Sequence, residues 1–109
     1  LTESHFAGVG IDPLTVRVAG LEGCPNFEKM TYKDCHDVSL DRIEAEVVGV
    51  VKRLVRRHPE IGILLLECSL LPPYAAAIQR ATKLPVFDFT HFVTFVHSAC
   101  VREPFRGFL

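Results

Sequence analysis

The chain has 109 residues, 49% of them hydrophobic, four cysteines and a formal net charge of −1. That length suits a single domain able to bury roughly two-thirds of its unfolded surface. The balanced charge excludes the basic footprint of a nucleic-acid binder, no apolar run approaches the roughly 20 residues of a membrane span, and no cleavable signal pattern opens the chain, so a cytoplasmic protein is expected.

Residues 1–8 read as a short helix with Thr2 as its cap and Glu3 in its first turn. Because the chain opens on Leu1 directly into this pattern, it is expected to be a piece of something longer. Pro13 bars helix at Asp12, and residues 14–19 alternate apolar and polar as an edge strand does. Residues 20–37 show no period and read as a loop broken by Gly23, Pro25 and Asn26. Ser39 caps the clearest helix, over residues 40–58, where Leu40, Ile43, Val47, Val50 or Val51, and Leu54 recur every three or four positions. Its acids lie early and its bases late, matching the helix dipole, and Pro59 stops it.

The stretch Ile61-Gly62-Ile63-Leu64-Leu65-Leu66-Glu67-Cys68-Ser69-Leu70-Leu71-Pro72-Pro73-Tyr74 organises the rest. Residues 61–66 are apolar without alternation, as in a parallel strand covered on both faces. Pro73 suits a helix start, so residues 74–81 are expected to be helical and Cys68 to sit just past the carboxyl end of a strand, the edge where open α/β sheets bind ligands. The first turn of that helix is expected to aim amide donors and its positive dipole end at the same place, favouring a thiolate and a bound carboxylate. A third strand follows over residues 85–89. Thr90 is read as the cap of a last helix from His91 to about Val101, apolar round much of its circumference, which is either deeply buried or covers a neighbour outside this chain. Strand and helix alternate throughout, so the expected fold class is α/β, a three-layer parallel sheet with helices on both faces.

The string Glu67-Cys68-Ser69-Leu70-Leu71-Pro72-Pro73-Tyr74, followed by Leu84-Pro85-Val86-Phe87-Asp88, resembles the second lobe of the aspartate/glutamate racemase superfamily, and Leu1 to Phe6 and Val18 to Leu21 resemble the segment that begins that lobe. The resemblance implies one lobe of a two-lobed, cofactor-independent enzyme, a racemase or isomerase that moves a proton at the carbon beside a carboxylate of an amino acid or small dicarboxylate. Cys68 would be the catalytic acid or base, with Ser69, Leu70, Thr90 and His91 binding substrate. Leu70 stands where glutamate racemases commonly carry a histidine, so another small carboxylate is as plausible a substrate. The second catalytic cysteine would come from a missing first lobe or from a homo-oligomer partner. A decarboxylase that needs one protonating cysteine, and a non-catalytic module that dimerises through the last helix, are the alternatives.

Other residues have plainer readings. Asp88 and His91 at the third strand's end are weighed as cleft contacts, Tyr74 as a packing residue near the turn, and His97 and Cys100 as packing residues. Cys24, Cys35 and His36, with Asp34 or Asp37, match no common zinc spacing, so no metal and no cofactor are expected. The absence of any C-x-x-C pair fits reduced thiols.

Overall fold

The computed structural model describes residues 2–32 and 38–107, with the backbone alone at Tyr32. Among the described residues, five α-helices, α1 (Glu3–Gly8), α2 (Pro25–Tyr32), α3 (Leu40–Arg57), α4 (Ala75–Thr82) and α5 (Phe89–Cys100), accompany two strands, β1 (Leu64–Leu66) and β2 (Val86–Asp88). The strands pair in parallel, Leu64 opposite Val86 and Leu66 opposite Asp88. The link between them runs through a 3₁₀ turn (Pro72–Tyr74) and α4, the crossover a parallel pair requires.

The core lies on one face of this sheet. Ile43 and Val47 of α3 and Ile78 of α4 are essentially sealed from solvent, and Leu64, Leu66, Val86, Tyr74, Cys24 and Phe27 close around them. Helix α3 forms because Ile43 and Val47 lie four apart on one stripe, and because Ser39 accepts the Arg42 amide at its start. Leu40, expected on that stripe, is exposed. The other face of the sheet is bare: Ile63, Leu65 and Phe87 point away from the core and are exposed. The uninterrupted apolar run of residues 61–66 therefore marks a strand with one covered side here, not two.

Three expected elements differ. Residues 14–19 make no strand; Pro13–Thr15 form a 3₁₀ turn around the Asp12 carboxylate, and Arg17 anchors the following coil on the His58 ring and Glu60. The alternation of that segment was real, but a strand exists only where a neighbour offers its ladder, and none does among the described residues. Helix α2 occupies the expected loop, and its cause is non-local. Glu46 of α3 reaches the open start of α2, where its carboxylate accepts the Asn26 and Phe27 amides at 3.0–3.2 Å and the Asn26 side-chain amide at 2.5 Å. Finally, Asp88 and not Thr90 is the N-cap of α5.

Burial opposes ionisation of Glu46, but its three bonds to Asn26 and Phe27 outweigh it and hold the carboxyl below its ordinary 4.5. Glu46→Gln is expected to cost about 1–2 kcal/mol in urea unfolding at pH 7. A carboxyl depressed in the folded state contributes fully above its unfolded pKa and loses that contribution as pH falls through the lower folded value. The gap between wild type and variant should thus narrow steadily on acidification below 4.5.

Candidate functional site

Parallel pairing puts the carboxyl ends of β1 and β2 at one edge, and the next residues of both strands carry the chemistry. Beyond Leu66 come Glu67 and Cys68; beyond Asp88 come Thr90 and His91 in the first turn of α5. Cys68 is a free, half-buried thiol. Its carbonyl accepts the Leu71 amide at 3.0 Å, closing a turn that has Ser69 and Leu70, both exposed, at its centre.

This turn revises the expected donors. Pro72 and Pro73 bring no N–H, the Leu71 amide is spent on Cys68, and the Tyr74 amide is spent on Leu71 at 2.9 Å. Helix α4 starts only at Ala75, too far along the chain for its dipole to act strongly at Cys68. The amides of Ser69 and Leu70, the Ser69 hydroxyl and the neighbouring strand end are what remain to receive an anion beside the thiol.

On that neighbouring end Asp88 is buried yet ionised. Its Oδ1 accepts the Thr90 hydroxyl at 2.5 Å and the Thr90 amide at 2.9 Å, and lies 3.2 Å from Nδ1 of His91. The Thr90 hydroxyl first of all, against the cost of burial, and then the Thr90 amide and His91 hold this carboxyl below its ordinary range. The cleft contacts expected of Asp88 and Thr90 are thus already taken up by each other. His91 keeps Nε2 for a ligand, with Nδ1 fixed by Asp88 and the ring tilted against Phe87 at 5.8 Å. The Asp-x-x-His spacing of a capping box was the available signal for this arrangement.

The other thiols are of a different kind. Cys24 is buried at the start of α2, where burial and then the nearby Glu46 charge push its thiol up, away from the reactive thiolate. Cys100 and His97, expected to pack, are exposed on α5, which no element among the described residues covers. Tyr74 packs in the core. Cys35, His36, Asp34 and Asp37 lie outside the described residues. Two shallow depressions lie elsewhere: one is lined by Gln79, Arg80, Lys83, Leu84 and Pro85 at the amino end of β2, the other lies between α3 and α4. Cys68 stands beside the exposed Ser69 and Leu70.

Comparison with known proteins finds relatives of this chain. The chain is 34% identical over 96 residues to dimethylsulfoniopropionate lyase 5 of Emiliania huxleyi (strain CCMP1516), across 88% of this chain and 19% of that protein. It is 38% identical over 85 residues to dimethylsulfoniopropionate lyase 3 of the same organism, across 72% of this chain and 22% of the relative. A dimethylsulfoniopropionate lyase of Durusdinium sp. clade D is 31% identical over 87 residues, 80% of this chain and 28% of the relative. These relatives are named as lyases. That corrects the expected membership of the aspartate/glutamate racemase superfamily, and with it the racemase or isomerase activity. The physical reason is that a strand, a thiol-bearing turn and a proline-started helix report where a thiol stands, not which bond breaks once a proton has left. The chain spans about a fifth to a quarter of the length of the relatives it matches. An alignment covering 88% of 109 residues takes in Cys68 wherever it begins. No family description and no solved structure matches the chain. Among the described residues, no helix is long and apolar enough to cross a membrane.

Proposed function

We propose that this chain is part of a lyase that cleaves dimethylsulfoniopropionate or a close sulfonium carboxylate, with Cys68 as the base. The likeness to proteins named for that reaction, across most of the chain and through Cys68, carries the reading. The substrate is a propionate whose far carbon bears a dimethylsulfonium group. Elimination removes a proton from the carbon beside the carboxylate; its electron pair becomes a C=C bond, the C–S bond breaks, and dimethyl sulfide and acrylate leave. The protein must supply a base, donors for the carboxylate and no redox partner. A Cys68 thiolate takes the proton, while the Ser69 and Leu70 amides hold the carboxylate and stabilise charge that builds on it in the transition state. No cofactor enters this scheme. The three-layer α/β sheet stays our proposal for the whole lobe, since β1 and β2 supply only its first pair of strands. We place the protein in the cytoplasm because Cys24, Cys68 and Cys100 are all unpaired thiols.

Alkylation of the folded chain, followed residue by residue by mass spectrometry, tests the site. Cys68 should label well before Cys24, and millimolar dimethylsulfoniopropionate should slow labelling of Cys68 severalfold while leaving Cys100 unchanged. Equal labelling of Cys68 with and without the sulfonium compound would remove the substrate from this edge.

A further inference from the structure

Thr90 and His91 satisfy only one oxygen of Asp88. The Thr90 hydroxyl, the Thr90 amide and Nδ1 of His91 all meet Oδ1. The His91 amide approaches the same carboxylate in the capping box, yet among the described residues no hydrogen bond ends on Oδ2. The side chain is only 3% exposed. No sealed side-chain polar atom among the described residues lacks a partner, so Oδ2 reaches solvent through a small opening. No lysine or arginine among them pairs with this carboxylate, and His91 answers its charge only when protonated. A buried anion with one bare oxygen is costly unless a cation comes to it.

The sheet sets that oxygen beside Cys68. Leu64, Leu66, Val86 and Asp88 face the covered side, while Leu65 and Phe87 face out. Cys68, two residues beyond Leu66, packs against the same covered cluster. Leu66 pairs with Asp88. Paired strands lie about 4.8 Å apart and rise about 3.3 Å per residue, which puts the Cα atoms of Cys68 and Asp88 about 8 Å from each other. One small ligand can therefore reach the turn, the thiol and the carboxylate together.

We infer that Oδ2 of Asp88 receives the dimethylsulfonium end of the substrate and gives this edge a preference for a cationic propionate over a neutral one. The inference rests on the lyase reading. A sulfonium suits this oxygen, because it carries a full charge, donates no N–H or O–H bond and needs no second ligand. A metal ion would need several, and no group of three metal-binding side chains stands together among the described residues. The role is binding rather than bond breaking. Sulfur leaves as a neutral sulfide, so an anion beside it favours the bound substrate over the transition state.

Protection of Cys68 from alkylation, compared between dimethylsulfoniopropionate and its neutral carbon isostere 4-methylpentanoate, tests this. On the wild-type chain the sulfonium compound should half-protect at a concentration at least about tenfold lower. Asp88→Asn and Asp88→Ser both keep a competent N-cap without the charge, and each should bring the two compounds within about twofold while protection by the neutral one is unchanged. Glu67→Gln removes an equal charge from the exposed neighbour of Cys68 and should keep the preference. In the polypeptide that carries this segment, Asp88→Asn should raise KM at least about tenfold without lowering kcat. Equal protection by both compounds in wild type, a preference that survives at Asp88→Asn or Asp88→Ser, or one lost at Glu67→Gln overturns the inference and leaves the lyase reading standing. A fall in kcat at constant KM overturns it as well. Protection of the wild-type chain by neither compound removes the substrate from this edge and takes the inference with it.

Discussion

Ile78→Ala is expected to be among the most damaging single changes to the fold, costing about 2–5 kcal/mol in chemical denaturation. Ile78 is fully buried where α4, α3 and the covered face of the sheet meet, and it belongs to the cluster formed by Ile43, Val47, Leu64, Leu66 and Val86. Truncation removes three carbons from the point where helix and sheet share their contacts. The relative size of the loss matters more than its absolute value. Small domains hold about 5–15 kcal/mol in total, and a chain with one sheet face uncovered sits toward the low end. The variant should lose at least about 10 °C in its thermal midpoint. Leu14→Ala, at a position 80% exposed, should stay within about 0.5 kcal/mol of wild type. If Ile78→Ala proved as mild as Leu14→Ala, the core would have to lie somewhere other than between α3, α4 and the sheet.

How much of the fold the residue pattern revealed in advance depends on the range of the forces involved. Helix α3 was legible from end to end because its signals are local: the Ser39 cap, the four-residue spacing of Ile43 and Val47, and Pro59 beyond its end. The strand, turn and helix from Leu64 to Thr82 were legible for the same reason, and the parallel register then comes from the crossover. Helix α2 was not, because its start is completed by Glu46, some twenty residues away on another helix. The segment over residues 14–19 failed in the opposite sense, since its alternation is local while a strand needs a partner. At the candidate site the position of Cys68 was legible from its string of neighbours. The donors beside it were not, because whether an amide is free depends on which carbonyl the turn has already given it. Least legible of all was the reaction we propose. Racemisation and elimination both begin with a proton leaving the carbon next to a carboxylate, and only the leaving group separates them.

Cys68→Ser is expected to lower acrylate formation by at least about a thousandfold in the polypeptide that carries this segment. The substitution keeps size and hydrogen bonding nearly unchanged, so a lost rate reports the acid–base chemistry of sulfur rather than a collapsed turn. A hydroxyl at the same place has too little tendency to ionise to accept a carbon-bound proton. The effect should appear in kcat with KM nearly constant, since the Ser69 and Leu70 amides that we propose receive the carboxylate remain. Cys24→Ala supplies the contrast. That thiol is buried in the core and pushed toward its protonated form, so its loss should reduce stability by about 1 kcal/mol and leave the rate per folded molecule unchanged. Headspace detection of dimethyl sulfide alongside acrylate separates elimination from any other use of the substrate. Should Cys68→Ser retain the wild-type rate while Cys24→Ala abolishes it, the base would have to be sought at the start of α2, and the carboxyl edge of the sheet would be left with only a structural thiol.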